Sequence, residues 1–162
     1  MLNYIRSKIQ SEIADIDRQI AVWKFLNQKI VFTNGCFDIL HRGHIDYLAK
    51  AADEGDLLLV GLNSDRSVKS IKGDNRPINN EDTRAMVLGS LAFVDAVFLF
   101  DEDTPYELIK RVQPDVLIKG ADYNKEDIVG YDIVRNNGGE IKTIELLDGY
   151  STTNLIDQIK SL

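Results

Sequence analysis

The chain predicts a doubly wound α/β fold on a parallel five-stranded sheet, Rossmann-like, with an extra N-terminal helix. Two observations carry this expectation. Apolar runs recur at Lys29-Ile30-Val31-Phe32, Leu57 to Leu62, Asp95 to Phe100, Val116 to Lys119 and Ile141 to Leu146. Runs that are apolar at nearly every position suit strands covered on both faces, as parallel strands are. Helical spacing or cap residues follow each run, and that alternation is the pattern of a parallel sheet with crossover helices. Ligands of such folds bind at the carboxyl ends of the strands.

The elements follow in order. Leu2, Ile5, Ile9, Ile13, Ile16, Ile20 and Trp23 fall on one helical stripe, so residues 1–28 read as an amphipathic helix preceding a domain over 29–162. The stripe is expected to pack on its own domain, with a dimer contact as the alternative. A helix over 43–54 follows the first strand, and Gly55-Asp56 turns into the second. Residues 63–76 form a long polar segment with four basic residues, read as a functional or mobile loop. Asn79-Asn80-Glu81-Asp82 caps a helix running to about Leu91. Thr104 reads as the N-cap of a helix with Pro105 in its first position, ending near Val112. A weaker helix is expected from Lys125 to Asn136, and Ser151 to Asn154 caps the last one.

Composition bounds the function. The 162 residues carry a net charge of −7, and 44% are hydrophobic. Broad nucleic-acid binding needs clustered basic charge, so an anionic ligand would have to be held by a local site. No stretch is long and apolar enough for a membrane span, and the N-terminus lacks the apolar core of a signal peptide. The single Cys36 has no internal disulfide partner, which makes the cytoplasm the expected location.

Both histidines of the chain lie in Thr33-Asn34-Gly35-Cys36-Phe37-Asp38-Ile39-Leu40-His41-Arg42-Gly43-His44, between a strand and a helix. Imidazoles three residues apart at a helix start share one face beside free backbone N–H groups, an arrangement that favours phosphate. Alone, a His-x-x-His pair is more often ordinary surface or core; Gly43 and the strand–helix context argue for function. Zinc is the competing ligand, yet there is no third histidine or second cysteine to complete its usual set. Neither a P-loop nor a Gly-x-Gly-x-x-Gly follows the first strand.

Gly-x-Phe-Asp-x-x-His-x-Gly-His, from Gly35 to His44, resembles the signature of the nucleotidyltransferase superfamily that includes cytidylyltransferases and adenylyltransferases. Ser151-Thr152-Thr153 resembles its second motif. Asn63-Ser64-Asp65, Lys72-Gly73 with Arg76-Pro77, Asp103-Thr104-Pro105, Lys119 to Tyr123, Gly138-Gly139-Glu140 and Asp148 to Asn154 extend the match over roughly residues 28 to 160. These stretches are similar to the adenylyltransferase domain of bifunctional heptose kinase/adenylyltransferases. The resemblance implies transfer from ATP to D-glycero-β-D-manno-heptose 1-phosphate, giving pyrophosphate and the ADP-heptose of lipopolysaccharide core. It further implies Mg²⁺ held mainly by the phosphates, a homo-oligomer (a dimer first of all), and, with no sugar-kinase part in view, a stand-alone form. A glycerol-3-phosphate cytidylyltransferase and a non-catalytic nucleotide-binding scaffold are the alternatives.

The resemblance assigns residues as well. His41 and His44 would bind the α-phosphate, with Arg84 and Lys72 completing the catalytic set and Lys69 beside them. Thr33, Asn34, Gly35, Cys36, Phe37 and Gly43 would line the nucleotide, as would Gly120, Asp122, Tyr150, Ser151, Thr152 and Thr153. Arg84 is otherwise a surface helix partner, and Asp38 either holds the loop or faces the metal through water. Cys36 has no evident base beside it and reads as a small loop residue. Tyr150 replaces an aliphatic residue of many superfamily members, Asn154 stands where others place Lys, and the basic group often found ahead of the Ser/Thr run is missing. Arg84, Lys69 or Lys72 would then have to compensate.

Overall fold

The computed structural model describes residues 1–121 and 124–162. Its sheet has six parallel strands rather than five, in the order β1-β4-β3-β2-β5-β6. These are β1 (Ile9–Gln10), β2 (Ile30–Gly35), β3 (Leu57–Asn63), β4 (Ala96–Phe100), β5 (Val116–Gly120) and β6 (Glu140–Ile144). Helices α1 (Leu2–Ser7), α2 (Ile13–Phe25), α3 (Arg42–Ala52), α4 (Asp65–Lys72), α5 (Glu81–Gly89), α6 (Tyr106–Val112), α7 (Tyr131–Asn136) and α8 (Thr152–Lys160) cover it.

Alternate strand residues feed two cores. Phe32, Leu59, Phe98 and Leu117 face Ile16, Ile20 and Trp23 on one side. Val31, Leu58, Val60 and Ile118 face Leu48, Ala51 and Leu88 on the other. Burial of these side chains is the main force holding the layers together. At the amino end of the sheet, Asp56, Asp115 and Asp95 accept from the backbone N–H groups of Lys29, Ile30 and Leu58 at 2.7–2.8 Å. These bonds satisfy strand ends that would otherwise lie unpaired.

The extra strand comes from the N-terminal stripe, which is not one helix. It breaks at Lys8, whose Nζ donates to the carbonyls of Val94 at 2.7 Å and Leu91 at 3.3 Å. Ile9 and Gln10 pair with Val97 and Phe98, covering an edge of β4 whose polar groups would otherwise stay open. Of the stripe, Ile16, Ile20 and Trp23 are buried on the domain, whereas Leu2 and Ile13 are exposed.

Three other expectations change. Residues 63–76 are not one long loop, because Ser64 caps α4 by accepting from the Ser67 N–H and Val68 is fully buried beneath the helix. The Lys125 to Asn136 helix is a 3₁₀ turn, Lys125–Asp127, and then α7. Gly130 divides them with φ 89°, and a Cβ there would lie 2.8 Å from Ile109. The sixth helix is capped at Pro105 rather than Thr104. Among the described residues no helix is long and apolar enough to cross a membrane.

This topology also positions a site. The first crossover leaves β2 toward β3, whereas β5 lies on the other side of β2. Chain directions therefore diverge at the carboxyl end of β2, the crevice in which such sheets take ligands.

Candidate active site

Beyond β2 the chain turns sharply. Phe37 adopts the left-handed φ of 42°, and its ring lies over Gly35, where a Cβ would come within 3.0 Å of it. The same ring meets His44 edge-on at 5.4 Å. His41 is the N-cap of α3 and His44 is in its first turn, so the two imidazoles stack at 3.9 Å with 18° between their planes. Gly43 makes this possible: a Cβ there would lie 3.0 Å from Cβ of Tyr150 and 3.2 Å from the His41 ring.

The rings border a cleft of about 370 Å³. Besides α3, its walls come from four places: residues 34–38 at the end of β2 and just beyond, Lys72 at the end of α4 with Arg76 after it, Lys119 and Gly120 at the end of β5, and Leu146, Leu147 and residues 150–153 before and within α8. Among the described lining residues three are cationic beyond the histidines, and Asp38 is the one carboxylate. Asp38 lines the cleft with its carboxylate engaged by protein donors. Its carboxylate accepts from Arg76 Nε at 2.7 Å and from the backbone N–H groups of Ile78 and Asn79 at 2.8 Å. Burial pushes its carboxyl up, but those donors outweigh burial and hold it below the usual carboxylate range.

Both imidazoles are neutral in the free cleft. Burial lowers His41. Burial, then His41 and Lys72, lower His44 to about 4 against the opposing Ile39 carbonyl. Two imidazolium ions at this spacing would repel by about 4 kcal/mol at an effective dielectric near 20. Among the described residues, the Nδ1 atoms of both rings are buried without a hydrogen-bond partner. Such atoms are costly to leave unpaired in a finished structure.

The sequence-assigned residues fall into three groups. His41, His44, Lys72, Asn34, Gly35, Cys36, Phe37, Gly43, Gly120, Tyr150, Ser151, Thr152 and Thr153 all line the cleft. Ser151 caps α8 by accepting from the Asn154 N–H at 3.0 Å, and Tyr150 stacks near His41 at 6.2 Å. Arg84, Lys69 and Thr33 do not line it. Arg84 is fully buried, with Nη1 on the Cys36 carbonyl at 2.7 Å, Nη2 on Asp65 at 2.8 Å and Nε on the Asn79 carbonyl at 3.0 Å. These three bonds hold the guanidinium against the Cys36 carbonyl, Asp65 and the Asn79 carbonyl, outside the cleft lining. Thr33 is also buried, sharing a 2.7 Å hydrogen bond with the Tyr47 hydroxyl. Asp122 lies outside the described residues.

Arg76 and Lys119, which the sequence offered only as parts of matching stretches with no site role, are cleft cations. Lys119 ends an apolar run, and its Nζ donates to Asn34 Oδ1 across the mouth of β2. A charged residue closing a buried strand marks the ligand edge of such a sheet and could have been read that way. Arg76 gave no comparable local signal, since its place depends on Asp38.

Known proteins match this arrangement. Bifunctional protein HldE of Campylobacter concisus is 59% identical over 82% of this chain and 27% of its own length. That of Campylobacter fetus subsp. fetus is 53% identical over 96% of this chain and 33% of its own length. The chain therefore spans about a third or less of these curated relatives. The crystal structure of the lipopolysaccharide core biosynthesis protein from Thermoplasma volcanium GSS1 superposes with a TM-score of 0.62 at 28% identity, covering 76% of this chain and 99% of that one. The Cytidylyltransferase-like family matches residues 32–157, a span that begins on β2 and closes within α8 and so takes in every wall of the cleft; the chain belongs to that family.

Proposed function

We propose that this chain is an adenylyltransferase joining ATP to D-glycero-β-D-manno-heptose 1-phosphate, with ADP-heptose and pyrophosphate as products, in lipopolysaccharide core biosynthesis. The observation that carries the chemistry is the stacked His41–His44 pair at the start of α3, facing a cleft lined by Lys72, Arg76 and Lys119. An acidic chain of net charge −7 has concentrated cations here. The heptose assignment rests on the motif resemblance and is supported by the bifunctional relatives at 53% and 59% identity.

A sugar 1-phosphate is already an anionic oxygen nucleophile near neutral pH, so its attack on the α-phosphorus of ATP needs no general base. Catalysis reduces to holding both reactants in line and stabilising charge on the transferred group. His41 and His44 would donate to the α-phosphate oxygens, assisted by the free backbone N–H groups at the start of α3. Lys72 and Arg76 would hold the remaining phosphates, and Ser151, Thr152 and Thr153 approach from the α8 side. Arg84 acts at one remove by fixing the Cys36 carbonyl.

Among the described residues, no group of three or more His, Cys, Asp or Glu is placed to hold a metal ion, and the Asp38 carboxylate is already occupied by its donors. In this proposal Mg²⁺ enters with the substrate, as MgATP held mainly through its phosphates, and no protein step runs through it. The proposed setting is the cytoplasm, which the unpaired Cys36 suits. The proposed assembly is a homo-oligomer, for which exposed Tyr4, Ile13 and Phe25 supply apolar surface.

The test is a pyrophosphate-release screen of the purified chain with four nucleoside triphosphates and a set of sugar and polyol phosphates. The expected result is release with ATP and the heptose 1-phosphate. Preference for CTP with glycerol 3-phosphate would replace the assignment, and orthophosphate release would indicate hydrolysis.

A further inference from the structure

We propose that nucleotide binding takes one proton from solvent onto the stacked His41–His44 pair, so that the pair meets the triphosphate as a single shared cation. This rests on the reading of the cleft as a nucleotide site.

The geometry sets both the direction and the limit. In the free cleft burial disfavours a cationic ring, and Lys72, at the end of α4, does so for His44 as well. Arg76, after α4, and Lys119, on β5, line the same cleft, and the guanidinium carbon of Arg42 on α3 sits 5.9 Å from the Tyr150 ring. Asp38 is the one carboxylate on the described wall, and its charge is directed to Arg76 and two backbone donors. The Cys36 thiol is pushed up by burial and contributes no anion. Tyr47 and Tyr150 complete the wall. A bound triphosphate reverses this balance by placing several negative charges among the same cations, and an opposite charge within a few ångströms favours the charged form of a titrating ring.

A neutral imidazole donates through one nitrogen, whereas a protonated one donates through both. Protonation therefore gives a buried Nδ1 a donor role that the free cleft leaves unfilled. It cannot proceed to both rings, because two cations stacked at 3.9 Å repel. Uptake stops at one proton per site, delivered from bulk water or buffer, and it is returned when the product leaves. Binding should then tighten by up to about tenfold for each unit that the pH is lowered through the window in which only the complex holds the proton.

The chain contains just two histidines, so imidazole nitrogen NMR reads the pair directly. The experiment saturates the purified protein with the α,β-methylene analogue of ATP and Mg²⁺ at pH 7.5, and records the two imidazole spin systems before and after. In parallel, calorimetry measures the binding heat in buffers of different ionisation enthalpy. The expected result is one imidazole moving to imidazolium shifts, with a buffer dependence approaching one proton taken up and lost in His41→Gln. Saturable binding with both rings neutral and no buffer dependence overturns the proposal and leaves the nucleotide site standing. Buffer-dependent heat with both rings still neutral also overturns it, by placing the proton elsewhere. Absence of any binding removes the nucleotide reading itself.

Discussion

Arg76 reaches back 38 positions in sequence to place its Nε 2.7 Å from Asp38 Oδ2, and the Asp38 side chain is 1% exposed. The pair closes one wall of the cleft. It also sets a stability prediction with a definite sign. The donors around Asp38 hold its carboxyl below the usual range, so its contribution is present above the ordinary aspartate value of about 3.9 and is lost as pH falls through the lower folded value. Asp38→Asn should destabilise by about 3 kcal/mol at pH 7, the scale for breaking a buried pair. The gap to the parent chain should narrow at pH 3. Urea unfolding at both pH values measures it, and a gap that persists unchanged would assign the effect to packing.

His44 gives a dependence of the same sign in a higher pH window. Its folded value of about 4 lies under the unfolded value of 6.5, so the unfolded chain binds the extra proton between those limits. Stability of the free protein should fall with acidification across pH 6.5 to 4, with a slope approaching about 1.4 kcal/mol per pH unit. His44→Ala should flatten that slope while keeping the circular-dichroism spectrum, and lower turnover by about 10²–10³ if the ring stabilises the transferring phosphate. A fully active, folded variant would remove His44 from the mechanism.

Gly43→Ala is the smallest change that should disturb the histidine pair. Its new methyl would press on Cβ of Tyr150 at 3.0 Å and on the His41 ring at 3.2 Å. Overpacking of this kind costs about 1–3 kcal/mol, and it should cost activity more than stability because the displaced ring is the one that faces substrate. A thermal melt beside steady-state kinetics separates the two effects.

Arg84→Met tests whether that arginine supports the site or touches substrate. Removing the guanidinium strands Asp65 and the carbonyls of Cys36 and Asn79, and a loss of roughly 3–5 kcal/mol is expected. An unaltered denaturation midpoint with a raised KM for ATP would instead make Arg84 a phosphate ligand.

The fold was legible where burial wrote it into the local pattern. All five expected strands are present, each within three residues of its apolar run at either end, because parallel strands covered on both faces leave little room for polar residues. The N-terminal break, the short β1 and helix α4 were not legible. Each depends on what lies opposite: the open edge of β4, the carbonyls of Val94 and Leu91 that receive Lys8, and the surface that buries Val68. A polar segment such as 63–76 reads as a loop until its one buried face is known.

The candidate site divides along the same line. By itself the sequence determined the chemistry on offer: two imidazoles around a glycine at a helix start, hydroxyl residues opening the last helix, and a parallel sheet whose carboxyl edge receives both. Spacing within one turn is short-range geometry, so the chain encodes it locally. Which cations reach the cleft was decided only by the tertiary structure. Arg84 is drawn inward by Asp65 and two carbonyls, while Arg76 is drawn to the cleft by Asp38. A long cationic side chain can turn either way, and the partner that desolvates it lies tens of residues away, so its direction is a property of the folded arrangement.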